Sequence, residues 1–374
     1  MVRILISGYY GFNNIGDESI LRAVVDNLRG RLDNIEITVL SQNPDFTAQK
    51  YGVFSVNRKS ATAIIKAIKK CDLLISGGGS LLQDVTSKKS ILYYLMIMWA
   101  AFLFRKKVFI YSQGIGPILS KINRRLTAAT LRYVQGIVVR DEASRELLIE
   151  IGVKGEKIIV TADPVLRIRK ADLSIGREIL IKEGFKPDPD RMTVGFAIRE
   201  KKTDSNFVDE LCISIRRLME EYRAQIVLIP FHYSEDMAVI EEIEKRLGSG
   251  ICCIKHKYLT DEMLSIIGNM DILVGVRLHA LIHAAIMEVP MIAISYDPKI
   301  NSFMHSIDLK AMCSVYDFKN DFFIEEFDRT VSRAETIRAR VKDRIRVLIK
   351  KLDTNEDLIQ ELMKQDRKYY ETKE

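Results

Sequence analysis

A chain of 374 residues is too long for one ordinary domain and suits two of roughly 150 to 200 residues each. With 47% hydrophobic and 29% charged residues, 20 glycines and 8 prolines it can build two cores, which excludes a low-complexity or disordered chain. The net charge of +7 favours anionic small molecules, pyrophosphate groups or acidic membrane surfaces, or marks only a basic exterior; it is too diffuse for a nucleic-acid footprint, and no recognition motif accompanies it.

The opening MVRILISGYYGF reads as a strand and a glycine turn rather than a signal peptide. Short β-branched runs near 2–7, 35–40, 72–76, 107–112, 136–140 and 157–161 predict strands, with helices between them. The clearest helix runs from Glu18 to Arg31 and carries Ile20, Leu21, Val24, Val25 and Leu28 on one face. Ile91 to Phe104 is a 14-residue apolar run followed by Arg105, Lys106 and Lys107. It is short of the ~20 residues that span a bilayer, which leaves a core helix or an interfacial segment. A charged, proline-bearing patch at Lys186–Asp190 marks the approach to a second series of strands, near 192–198, 225–229, 251–254, 271–276 and 290–295. The last forty residues are charged and helical. Nearly continuous apolar strands alternating with helices predict parallel sheets covered on both faces.

The expected architecture is therefore α/β and GT-B-like: two doubly wound, Rossmann-like domains facing a cleft, with a helical C-terminal tail. The expected boundaries are 1–165, a linker at 166–190, 191–330, and C-terminal helices at 331–374. The five cysteines lack CxxC spacing and fit a reducing cytoplasm, where a free thiol packs as a small hydrophobe.

Chemistry is expected where strands run into loops. The turn Gly8–Glu18 lets backbone approach a ligand, and its Asn13, Asn14, Asp17 and Glu18 make it polar; Asp17 also reads as a helix N-cap. Ser76–Asp84, with Gly77, Gly78, Gly79 and Gln83, and Gln113–Pro117 repeat the glycine-bearing exit and would form one rim of the cleft. Arg140 ends the strand before Asp141, Glu142 and Ser144, where its planar fork can grip a carboxylate or phosphate, or pair locally with Asp141 or Glu142. Asp163-Pro164 reads as a hinge or turn device.

Arg277 and His279 open a helix after an apolar strand, an arrangement suited to anions and to proton exchange near neutral pH. His283 lies one turn on, but no third ligand is evident, so no metal is expected and His283 reads as a packed core residue. Lys299, one strand–helix unit along, supplies a point charge for phosphate, and Arg199 joins the same rim.

Taken in order, GYYGFNNIGDESIL at 8–21, SGGGSLLQDVTS at 76–87, YSQGIGP at 111–117, VVRDEAS at 138–144, and VGVRLHALIHAA with SYDPK between 274 and 299 resemble the polysaccharide pyruvyltransferase family, its CsaB-type, S-layer-associated members above all. The resemblance spans roughly residues 1 to 330. His283 and His232 stand where Phe and a glutamine-like residue are expected, and both could tune the acceptor site.

The resemblance implies phosphoenolpyruvate as donor substrate, no cofactor, and an acceptor N-acetylmannosamine in a lipid-linked precursor of a secondary cell-wall polymer. The product would be a 4,6-ketal, and the place of work the cytoplasm, with possible peripheral contact at the inner membrane surface. His279, Arg140 and Lys299 match the family's catalytic and donor-binding positions. Arg277 and Arg199 would bind phosphoenolpyruvate alongside them, and Asn14, Asp17, Gly78, Gly79 and Gln83 the acceptor. The rival readings are a GT-B glycosyltransferase using a nucleotide sugar and a non-catalytic binder of anionic polymer.

Overall fold

A computed structural model describes the chain apart from residues 86, 88, 200–204, 249 and 372–374; for 205 and 365–371 it describes only the backbone path. Thr86, within the second glycine-rich segment, lies outside the described residues. The chain divides into two compact units, one made of Met1–Phe12, Asp17–Arg167 and Leu348–Glu374, the other of Asn13–Gly16 and Ile168–Val347.

The first unit runs β1 (Val2–Tyr10), α1 (Ile15–Arg31), β2 (Ile35–Ser41), α2 (Pro44–Tyr51), β3 (Phe54–Asn57), α3 (Ala61–Lys70), β4 (Leu73–Gly77), α4 (Ser90–Leu103), β5 (Lys107–Gln113), α5 (Lys121–Leu131), β6 (Gly136–Val139), α6 (Glu142–Glu150) and β7 (Ile158–Val160). All its strand pairs are parallel, in the order β3-β2-β1-β4-β5-β6-β7. The central β4, LLISG, is buried along its whole length, as a strand covered on both faces must be. The strand order reverses between β1 and β4, where a doubly wound sheet opens its ligand crevice.

The second unit continues with α7 (Leu173–Lys182), β8 (Thr193–Ala197), α8 (Ser205–Glu221), β9 (Gln225–Leu228), α9 (Tyr233–Leu247), β10 (Ile251–Cys253), α10 (Thr260–Gly268), β11 (Ile272–Gly275), α11 (Leu278–Ile286), β12 (Met291–Ser295), α12 (Pro298–Ser306), β13 (Cys313–Ser314) and α13 (Asn320–Ser332). Its sheet is parallel too, ordered β10-β9-β8-β11-β12-β13, with the reversal between β8 and β11. A final helix, α14 (Ala334–Glu371), begins in the second unit and from Leu348 onward belongs to the first.

Two strands escaped the sequence reading. β3 and β13 are short edge strands of four and two residues, too brief to show alternation or an apolar run. Ile91–Phe104 folds as α4, with Ile91, Tyr94, Leu95, Ile97, Met98 and Ala101 buried, so one face of that run is core. Among the described residues no helix is long and apolar enough to cross a membrane. All five cysteines are free, and four of them are buried.

Candidate functional site

In the second unit, four strand exits converge. Arg277 follows β11 and stands at the N-cap of α11, and His279 occupies that helix's first turn. Tyr296, Asp297 and Lys299 follow β12, with Asp297 capping α12 by accepting from Lys299 N at 3.1 Å. Arg199 follows β8, and Glu235 and Asp236 open α9 after β9.

The Arg199 guanidinium lies 4.9 Å from the Tyr296 ring centroid and donates to its hydroxyl at 3.0 Å. Lys299 Nζ is 5.5 Å from the same centroid and 3.3 Å from Asp297. Burial alone would push the Tyr296 phenol up; Lys299, Arg199 and Arg277 outweigh it and bring it below the usual tyrosine value. Two of the four cations expected from sequence, Arg199 and Lys299, thus rest on one aromatic ring, and Arg277 acts on it electrostatically.

Arg277 is held from below. Its Nη2 donates to the fully buried Asp236 and, at 3.0 Å, to Glu235, whose carboxylate also lies 3.7 Å from Arg199. Asp236 accepts as well from the backbone of Phe231 and His232, and His232 Nδ1 sits 3.0 Å from Glu235. The hydrogen bond from His232, together with Arg277, overcomes burial and holds Glu235 down at about 2. Arg277 is therefore oriented by carboxylates, a fixed rather than a mobile cation.

His279 is placed by an unusual neighbour. Residues Asn13–Gly16 belong to the second unit, where Asn14 forms a bridge with His232 and Ile15 N donates to Phe231 O at 2.9 Å. A Cβ on Gly16 would fall 2.3 Å from His279 Nδ1, so the imidazole rests against bare backbone that only glycine leaves open. His283 is fully buried and packs edge-on against Phe231 at 5.3 Å, as a core histidine does.

In the first unit Arg140, at the end of β6, is buried. It donates to Asp163 at 3.0 Å, to Asp141 at 3.3 Å and to Ser80 Oγ, in the glycine-rich turn, at 3.2 Å. The local pair with Asp141 is real, but it is only part of a larger set, and Asp163 is an ion-pair partner rather than a mere turn device. Gly114 lets the guanidinium in: a Cβ there would meet Arg140 Nη2 at 2.6 Å.

The residues expected to hold an acceptor divide differently. Asp17 is not an N-cap: α1 starts two residues earlier, and Asn14 does the capping by accepting from Gly16 N at 3.1 Å. Asp17 instead sits in the first helical turn beside Gly79, and Gly78 and Gly79 both have positive φ. Gln83 turns back on its own backbone, accepting from Val85 N at 2.8 Å. Glu18 is structural: it is buried, accepts from Gly11 N and Tyr51 Oη, and burial raises it above the usual carboxylate range. Asn14, Arg199, Arg277, His279 and Lys299 lie in the second unit; Asp17, Gly78, Gly79, Gln83 and Arg140 lie in the first.

Glu235, Asp236 and Tyr296 were missed from sequence. Tyr296 stood inside the SYDPK segment without a motif of its own, and an acidic pair opening a helix is what the helix dipole favours anyway.

Known proteins agree with this picture at the level of fold and family. The chain resembles UDP-GlcNAc 2-epimerase from Neisseria meningitidis bound to UDP-GlcNAc, with 14% identity over 95% of this chain and 100% of that one and a TM-score of 0.61. It also resembles Anabaena Alr3699/HepE in complex with UDP and glucose (10%, 98% and 100%, 0.64) and a glycosyltransferase from Rickettsia africae (12%, 96% and 98%, 0.62). These likenesses establish a GT-B-like fold of two parallel-sheet α/β domains with a helical C-terminal tail. In sequence it is 21% identical to the amylovoran biosynthesis protein AmsJ of Erwinia amylovora over 84% of this chain and 88% of that protein. The family model described as polysaccharide pyruvyl transferase matches residues 14–298, and the chain belongs to that family.

Proposed function

We propose that the protein transfers pyruvate from phosphoenolpyruvate to N-acetylmannosamine in a lipid-linked secondary cell-wall polymer precursor, as CsaB-type members do, forming a 4,6-ketal and releasing phosphate. The observation that carries the reading is the set of cations, Arg199, Arg277 and Lys299, around Tyr296, with His279 at the neighbouring helix start. Such a set suits a small substrate bearing both a carboxylate and a phosphate. Family membership and the name of the AmsJ relative support a biosynthetic transferase.

In this reading His279 protonates the methylene carbon of the enol phosphate, and positive charge develops at the central carbon. One sugar hydroxyl adds there, the carbon–oxygen bond to phosphate breaks, and the second hydroxyl closes the ring. The atoms balance: one hydroxyl proton ends in the new methyl group and the other on phosphate. Lys299, Arg277 and Arg199 hold the anionic groups and offset charge on the leaving phosphate. Arg140 is a further donor-binding and catalytic residue. Asn14, Asp17, Gly78, Gly79 and Gln83 contact the acceptor, and His232 and His283 bear on it only indirectly. No cofactor is needed. A lipid-linked acceptor places the enzyme at the cytoplasmic face of a membrane.

The test is phosphate release from phosphoenolpyruvate by pure protein, with and without a synthetic N-acetylmannosamine-containing disaccharide diphosphoryl lipid. Acceptor-dependent release that His279→Ala lowers by a factor of about 100 or more supports the assignment. The rival of nucleotide-sugar glycosyl transfer draws on the likeness to UDP-bound structures, and nucleotide release without phosphate release would install it instead. Polymer binding without either product would favour a non-catalytic binder.

A further inference from the structure

The helices α4 and α5 of the first unit turn apolar side chains to solvent. Met96, Trp99 and Leu103 recur at helical spacing along one face of α4, Ile122 and Leu126 do so on α5, and Tyr133 follows; their exposures run from 41% to 77%. Single exposed leucines are ordinary, but these are not single. The two helices are joined side by side: Trp99 Nε1 donates to Thr130 Oγ1 at 2.9 Å, and the Tyr133 ring lies 5.6 Å from Trp99 and 5.8 Å from Phe102. The exposed side chains therefore form one continuous face.

Charge singles out the same stretch. Residues 85–140 contain ten Lys and Arg and no Asp or Glu, so that the whole chain's +7 leaves −3 for everything else. Arg140, buried among carboxylates, takes no part in the face; the other nine make this stretch locally basic, against the diffuse distribution expected from overall composition. Within α4 no residue is charged, while the exposed Lys89 and Arg105 flank it, and Lys121, Arg125 and Arg132 flank the α5 row, all exposed. Apolar side chains in the middle, Trp and Tyr among them, and cations at the edge match the interfacial layer of an anionic bilayer. Phosphates of a nucleic acid would find the cations, but aliphatic Met96, Leu103 and Ile122 offer nothing to bases.

We infer that the α4–α5 face is a docking surface for anionic lipid bilayers, which inserts Met96, Trp99, Leu103 and Ile122 among headgroups and acyl chains while the surrounding Lys and Arg pair with lipid phosphates. It shares with the preceding reading only the lipid-linked acceptor. Its support is the exposed face and the charge of residues 85–140.

Trp99 is the sole tryptophan of the chain, so its emission reports the face directly. The full-length protein is floated with vesicles of phosphatidylcholine alone and of phosphatidylcholine with phosphatidylglycerol, at low and high salt. The expected result is co-flotation with the anionic vesicles, weakened by salt, and a shift of Trp99 emission to shorter wavelength. Leu103→Glu with Ile122→Glu, two exposed positions whose exchange should leave thermal unfolding unchanged, should lower vesicle partitioning at least about tenfold. Lys121→Glu with Arg125→Glu should lower it about fivefold or more per residue, and only on anionic vesicles. Absence of flotation by the wild type, or flotation of the Leu103/Ile122 variant equal to wild type, overturns the proposal. So does vesicle-independent dimerisation that the Leu103/Ile122 variant abolishes, which would give the face to a second copy. A wild type that floats with anionic vesicles but releases no phosphate from phosphoenolpyruvate with any acceptor would overturn the transfer reading and leave this one standing.

Discussion

Arg140 of the first unit and the Arg199 and Lys299 pair of the second are held in opposite ways. In the first, Arg140 is shut in, with 5% of its side chain exposed between Asp163, Asp141 and Ser80. In the second, Arg199 and Lys299 are each about a quarter exposed and share a tyrosine ring, while Arg277 leans on Glu235 and buried Asp236. Burial works against the Arg140 charge, and its two carboxylates more than offset that. The lesson concerns cost. A guanidinium inside a carboxylate cage is expensive to disturb, whereas partly exposed cations over an aromatic ring can exchange partners with a dissolved anion at little cost.

That contrast can be broken experimentally, most heavily in the first unit. Asp163→Ala strips the buried partner from Arg140 and should destabilise the protein by about 3 kcal/mol, the low end for a broken buried pair because Asp141 remains; chemical denaturation reads it. Disturbance in the second unit should appear as lost rate instead. Gly16→Ala drives a methyl into the His279 ring and should lower turnover on the order of a hundredfold with little change in melting temperature. An equal loss of stability would mean that the contact serves packing alone.

Tyr296→Phe removes the hydroxyl that accepts from Arg199 and should cost about 0.5–1.5 kcal/mol, read as weaker donor binding. Wild-type affinity in that variant would exclude the hydroxyl from ordering the cations. The smallest effect belongs to Glu235. Its folded value lies below the ordinary carboxylate value of 4.5, so its stabilisation is complete above that pH and is lost as pH falls toward about 2. Glu235→Gln should flatten the stability–pH curve across that window; because the carboxylate is partly exposed, salt should shrink the difference.

Much of the fold was legible because parallel strands announce themselves: LLISG, KVFIYSQ and MIAIS are apolar runs ending at turn residues. Edge strands as brief as Cys313–Ser314 carry no such signature. Arg140, Arg277, His279 and Lys299 could be named because each follows a strand, a local property. Their partners could not. Asp236 is 41 residues from Arg277, and Ser80 is 60 from Arg140, and nothing in spacing links positions that only a folded sheet brings together. Asp17 misled because Asp-then-apolar is a capping signature, yet Asn14 had already started the helix. The charge of residues 85–140 was in plain view, hidden by averaging over the chain.

The tail of α14 belongs to the first unit's core. Leu352 and Ile359 are fully buried there, Glu356 receives the hydroxyl of Tyr111 and the guanidinium of Arg167, and Asn355 donates to Ser112. These partners are up to 245 residues apart. On the ribosome, then, the sheet that is made first is completed last: its sealing helix emerges only after the whole second unit has been synthesised, and until that moment Tyr111, Ser112 and Arg167 wait without it.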